Sequence, residues 1–92
     1  MEERTADEIA AIFSAAGDSV TVINADASYS AYITRTGSSD TEAEWKEMIQ
    51  RNTEHLEIIK AYTKIDGTTS IWTSESFTDI DAAITTGKAI YS

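Results

Sequence analysis

The sequence predicts an α+β fold, a two-layer sandwich in which three helices pack on an antiparallel sheet built from two β-hairpins, in the order αββαββα. Three observations predict it. Thr5-Ala6-Asp7-Glu8 has the form of a capping box and is followed by an apolar helical stripe. Val20-Thr21-Val22-Ile23 is β-branched throughout, which suits a strand. Asp66-Gly67 lies between two strand-rich segments, where it reads as a two-residue hairpin turn. With 92 residues there is room for one core, hence a single domain over 1–92.

Taken in order, the first helix spans residues 5–16. Ile9, Ile12, Phe13 and Ala16 recur at i, i+3, i+4 and i+7, and Gly17 reads as the stop. Residues 20–23 form the first strand, 24–28 carry turn chemistry, and 29–36 return as a second strand with Tyr29, Ala31 and Ile33 on one side. Residues 37–40 break the pattern. Ser39 with Glu42, or Thr41 with Glu44, can cap the second helix, whose inner face is Trp45, Met48 and Ile49 and whose end is near Asn52. Its first turn carries Asp40, Glu42 and Glu44 and its last turn Arg51, in keeping with the helix dipole.

The second hairpin pairs residues 56–65 with 68–73. A two-residue loop sets Ile65 opposite Thr68, Tyr62 opposite Ile71 and Ala61 opposite Trp72. Both faces of that hairpin are substantially apolar, so helices or a partner chain must cover each, which favours a homodimer. Ser76 caps the third helix, Phe77, Ile80 and Ile84 share one stripe, and Gly87 closes it. Residues 88–91 are expected as a short closing strand or a docked tail.

From Tyr29 onward, the order of strand, helix, hairpin and helix, with the stretch from Lys64-Ile65-Asp66-Gly67 to Ser76-Phe77, resembles the ferredoxin-like sandwich and, more loosely, the dimeric α/β-barrel proteins built from it. The resemblance covers about two-thirds of the chain and rests on element order. It implies sheet-to-sheet dimerisation and a pocket between sheet and helices.

Composition bounds the chemistry. Sixteen acids against seven bases give a formal charge of −9, which disfavours nucleic acid and anionic membrane and favours a basic or nucleic-acid-binding protein as partner. The same acidity also serves solubility alone. There is no cysteine, so thiolate zinc sites and disulfides are excluded. The N-terminal residues lack a basic segment and a long apolar run, so the expectation is a cytoplasmic protein, or one in a virion assembled in the cytoplasm.

No residue pattern marks a catalytic centre, and neither cofactor nor metal is expected. His55 is the only histidine. In an extended segment it would share a side with Glu57, as a tuned base does, although a surface histidine is the commoner case. Under the α/β-barrel resemblance, His55 would line a pocket with the ligand-binding candidates Tyr62 and Trp72. The carboxylate clusters Glu2/Glu3, Asp7/Glu8, Glu42/Glu44/Glu47 and Asp79/Asp81 are expected near helix starts, where negative charge is favourable for structural reasons. The expected function is therefore a small acidic, non-enzymatic protein-binding or assembly module, of the kind a phage or mobile element encodes as a virion subunit or as an inhibitor of a nucleic-acid-binding protein. The alternative is a dimeric α/β-barrel-like enzyme or ligand-binding protein.

Overall fold

A computed structural model describes residues 5–63 and 69–92, and in them the chain is all-helical. Four helices follow one another: α1 (Ala6–Ala25), α2 (Tyr29–Thr36), α3 (Glu42–Ile59) and α4 (Ser74–Tyr91). The expected α+β sandwich is thereby overturned, and the ferredoxin-like and α/β-barrel resemblance falls with it. Among the described residues the one β-type pairing is an isolated antiparallel bridge, Thr63 to Ser70.

The start of α1 keeps half of the expected capping box: the Thr5 hydroxyl accepts from the Glu8 N–H at 3.1 Å, and it donates to Glu8 Oε1 at 3.3 Å. Its end is not as expected. The helix passes through Gly17 and absorbs the expected strand at 20–23. Two magnitudes account for this. Each β-branched residue costs a few tenths of a kcal/mol in a helix, and an interior glycine costs about 1 kcal/mol. Against that, continuing the 3.6-residue period carries Ala16, Ser19 and Ile23 into the core, Ile23 with no exposed surface. Burying one such isoleucine stabilises by roughly 1.5–3 kcal/mol, about the size of that local cost, and Val20 packed against the same cluster tips the balance to the helix.

The second expected strand is α2. Ser28 is its N-cap, accepting from the Ala31 N–H at 3.1 Å, and Gly37 ends it in the left-handed region at φ 66. Tyr29, Tyr32 and Ile33 fit i, i+3, i+4 spacing, whereas alternation would put Tyr32 on the side opposite Tyr29 and Ile33. In α3, Thr41 and Glu44 form the full capping box, with the Glu44 carboxylate accepting from the Thr41 N–H at 2.9 Å. The helix then continues past Asn52 to Ile59. Trp45, Ile49, Thr53, Leu56 and Ile59 form its buried face, while Ile58 is 61% exposed.

Between α3 and α4 the chain retains a trace of the expected hairpin. The Thr63–Ser70 bridge, and the Ile71 N–H donating to the Tyr62 carbonyl at 3.4 Å, share the register a turn at Asp66-Gly67 sets. The turn itself and the Ile65–Thr68 pair lie outside the described residues. The next helix is capped not by Ser76 but three residues earlier by Thr73, which accepts from the Ser76 N–H at 3.1 Å, and it runs through Gly87 to include residues 88–91. Gly87 is a packing residue: a Cβ there would stand 1.9 Å from Thr53 Oγ1 on α3.

Helices α1, α3 and α4 pack on one another and α2 packs on α3. The larger core cluster joins Ala16 and Ile23 to Leu56, Ile59, Ile80, Ala83 and Ile84. A second joins Tyr32, Trp45 and Ile49, with Ile90 and Tyr91 against them. The start of α3 thus meets the end of α4, which makes those two helices antiparallel. At that end Asp26 ties three helices together. Its fully buried carboxylate accepts both Arg35 Nε and Nη2 at 2.7 Å, and its carbonyl accepts the Trp45 indole N–H at 2.9 Å. A buried carboxylate is tolerated here because a bidentate guanidinium, itself half in water, holds it.

Candidate protein-binding cleft

Near the start of α4, Trp72 lies beside the middle of α1. The indole is fixed from two sides: its N–H donates to the Ile59 carbonyl at 2.9 Å, and its ring lies 5.0 Å from that of Phe13 at 54°. The Ile59 carbonyl, at the end of α3, accepts this indole N–H beside the Tyr62 backbone N–H at 3.1 Å. Between the helices lies an open cleft of about 250 Å³, with Phe13, Gly17 and Val20 on one wall and Trp72, Ser76 and Ile80 on the other. Among the described residues Asp79 is its only charged lining residue.

The cleft opens onto an uncharged face of α1. Ala6, Ala10, Phe13, Gly17, Thr21 and Asn24 follow at three- and four-residue spacing and are all exposed, Phe13 at 43%. On the other side of Trp72, Phe77 is also 36% exposed. Apolar side chains are therefore open to solvent on both sides of the indole.

The charge around this face has one sign. Helix α1 carries Asp7, Glu8 and Asp18 and neither lysine nor arginine. The only base on α4 is Lys88, held by Glu57 of α3 at 3.0 Å. Arg51 and Lys60 are likewise on Glu47 and Asp81, at 3.0 and 3.3 Å. Glu57 raises the affinity of Lys88 for its proton through a hydrogen bond and by its charge. At the other end of the bundle the Tyr32 hydroxyl donates to Asp40 Oδ2 at 2.5 Å, which pushes the phenol above its ordinary value. Burial, then the carboxylates of Glu57 and Glu54, do the same to Tyr91.

Of the three residues singled out from sequence, Trp72 lines the cleft. Tyr62 is half-buried and packs with Trp72 against the larger core cluster. His55 is exposed on α3. On a helix, positions 55 and 57 point to nearly opposite sides, so His55 and Glu57 are parted and Glu57 serves Lys88 instead. Among the described residues no three His, Asp or Glu side chains converge as a metal site would need. No helix there is long and apolar enough to cross a membrane. Phe13 and Gly17, assigned from sequence to the core stripe and to a helix stop, are cleft residues. The signal that would have found them is the uncharged, exposed register through 6, 10, 13, 17, 21 and 24 in a chain of charge −9. Compared with protein-family models, curated proteins and solved structures, the chain matches none.

Proposed function

We propose that this chain is a non-enzymatic protein-binding module whose partner is a basic protein. The observation that carries the reading is the distribution of charge. Of the five described lysines and arginines, Arg35, Arg51, Lys60 and Lys88 are each engaged by a carboxylate and contribute little positive potential outward, while Lys46 on α3 is exposed and outside these pairs. Asp7, Glu8, Asp18, Glu75 and Asp79 remain exposed. A surface of that kind steers basic proteins inward and repels polyanions. The partner thereby includes proteins whose own ligand is nucleic acid, which this chain would occlude.

The test is stoichiometric co-purification of the tagged chain from its source cells, eluted with rising salt. The expected result is a basic protein at about one-to-one ratio, released between about 0.1 and about 0.5 M salt, where screening shortens to a few ångströms. Duplex DNA added to the complex should compete. Absence of any stoichiometric partner, or an acidic partner indifferent to salt, would overturn the proposal.

A further inference from the structure

We infer that the α1–α4 cleft is where the partner docks, and that what docks is a basic amphipathic helix with one large apolar anchor. The inference deepens the protein-binding reading and rests on it. Size comes first. At about 250 Å³ and open to solvent, the cleft is smaller than the roughly 300–1,000 Å³ that enclose a typical small ligand. It suits a single aromatic or aliphatic side chain presented by a macromolecule, between Phe13 and Val20 on one wall and Trp72 and Ile80 on the other. Hot spots of this type are anchors seated in pockets.

Length and shape come second. The twenty residues of α1 extend about 30 Å, and the uncharged exposed register continues along it on both sides of the cleft. Its residues are mostly small, so a helix laid beside α1 can approach near the short end of the usual 8–10 Å axial separation. Helix-in-groove recognition uses anchors at i, i+3, i+4 and i+7 in this way.

Charge chooses the occupant. A second copy of this chain would bring Asp79 and its acidic surroundings against the same groups, with no lysine or arginine on α1 to oppose them. Like charges so placed disfavour the pairing. A helix with lysine or arginine flanking its apolar stripe meets Asp18, Glu75 and Asp79 with the opposite sign, and its anchor meets the apolar walls.

The test uses a synthetic helix of about 18 residues carrying Trp and Leu at i, i+4 and i+7 with lysine elsewhere, titrated into the isotope-labelled chain and followed by NMR. Shifts should centre on Phe13, Gly17, Val20, Ser76, Asp79 and the Trp72 indole. A peptide of equal charge with its apolar residues scattered should bind at least about tenfold more weakly. Gly17→Arg blocks the cleft while favouring the helix, so it should weaken binding by about tenfold or more without lowering thermal stability. His55→Ala, exposed on α3 and outside the cleft, should leave affinity within about twofold. Equal binding of both peptides, no binding, shifts centred on α3, or concentration-dependent self-association mapped to these residues would each overturn the assignment. If a partner captured from cells binds Gly17→Arg as tightly as the parent chain, the cleft assignment falls while the protein-binding reading stands. If no partner is captured at all, that reading fails on its own test.

Discussion

Gly17 and Gly87 both lie inside helices, and replacing each with alanine should move stability in opposite directions. At Gly17 a Cβ meets nothing within 4 Å, and the residue is not in the left-handed region. The substitution therefore gains helix propensity alone, about 0.8–1.0 kcal/mol. For a domain of this size that corresponds to a rise in Tm of roughly 4–8 °C. At Gly87 the new Cβ would lie 1.9 Å from Thr53 Oγ1, 3.0 Å from Thr53 Cβ and 3.1 Å from its Cγ2. Helices α3 and α4 must then separate, or Thr53 must turn and give up its bond to the Ile49 carbonyl at 2.8 Å. Overpacking of this kind costs about 1–3 kcal/mol and the lost hydrogen bond about 1 kcal/mol. Propensity returns about 1 kcal/mol, for a net loss of about 1–3 kcal/mol. Urea unfolding followed by circular dichroism measures both variants. Adding Thr53→Ala to Gly87→Ala removes the nearest atom, so the pair should couple favourably by about 1 kcal/mol. Destabilisation by Gly17→Ala would mean that the first helix does stop there. Stabilisation by Gly87→Ala would mean that α3 and α4 do not approach as described.

Ile58→Ala should change stability by less than about 0.5 kcal/mol while Ile59→Ala costs about 2–4 kcal/mol, because Ile58 is 61% exposed and Ile59 2%; equal costs in chemical denaturation would contradict the helical face assigned to α3. Stability should fall as pH rises above about 10, since Tyr32, Tyr91 and Lys88 all hold their protons more tightly when folded. A group raised in this way contributes fully below its unfolded pKa and loses that contribution as pH passes its folded one. Thermal melts from neutral to strongly alkaline pH should show a shallower decline in Tyr32→Phe and Glu57→Gln than in the parent, and identical slopes would refute those contacts. Trp45→Phe should cost about 1–3 kcal/mol in urea unfolding, because it leaves the Asp26 carbonyl without the indole N–H; a neutral substitution would show that this bond is not formed.

Helix starts were more legible than helix ends. The Thr41/Glu44 box and the Thr5 cap are short-range devices, readable wherever the hydroxyl and the following turn occur together. Ser28 acts in the same way, but within 24–28 it looks like part of a turn. Over four to six residues, periods of 2 and 3.6 select overlapping sets of side chains. Residues 20–23 and 29–36 therefore read as strands from their β-branched and aromatic content. What decides them is distant: Ile23 is buried by α3 and α4, and Tyr32 packs on Trp45 and Ile49. Gly87 misled for a related reason, since its role is to admit Thr53 from another helix. Trp72 could be named from sequence as a pocket residue only through the α/β-barrel resemblance, which the helical fold removes. The cleft could not, because it exists only where Gly17 and Val20 of α1 come opposite Ser76 and Ile80 of α4, some sixty residues later. The acidity was fully legible. Its one-sidedness was not, since that depends on Lys60 and Lys88 being drawn into α3–α4 ion pairs.

The measurement that tests the account most directly is the Cα secondary chemical shift of every residue in the isotope-labelled chain. The bundle and its cleft require α1 to be continuous, and they require α3 to reach Ile59 and α4 to reach Tyr91. The expected result is an unbroken run of helical shifts from Ala6 to Ala25, including Gly17 and residues 20–23, and again through residues 53–59 and 88–91. Extended shifts at 20–23 and 56–59, with cross-strand contacts between 20–23 and 29–36, would contradict the bundle and remove the cleft with it.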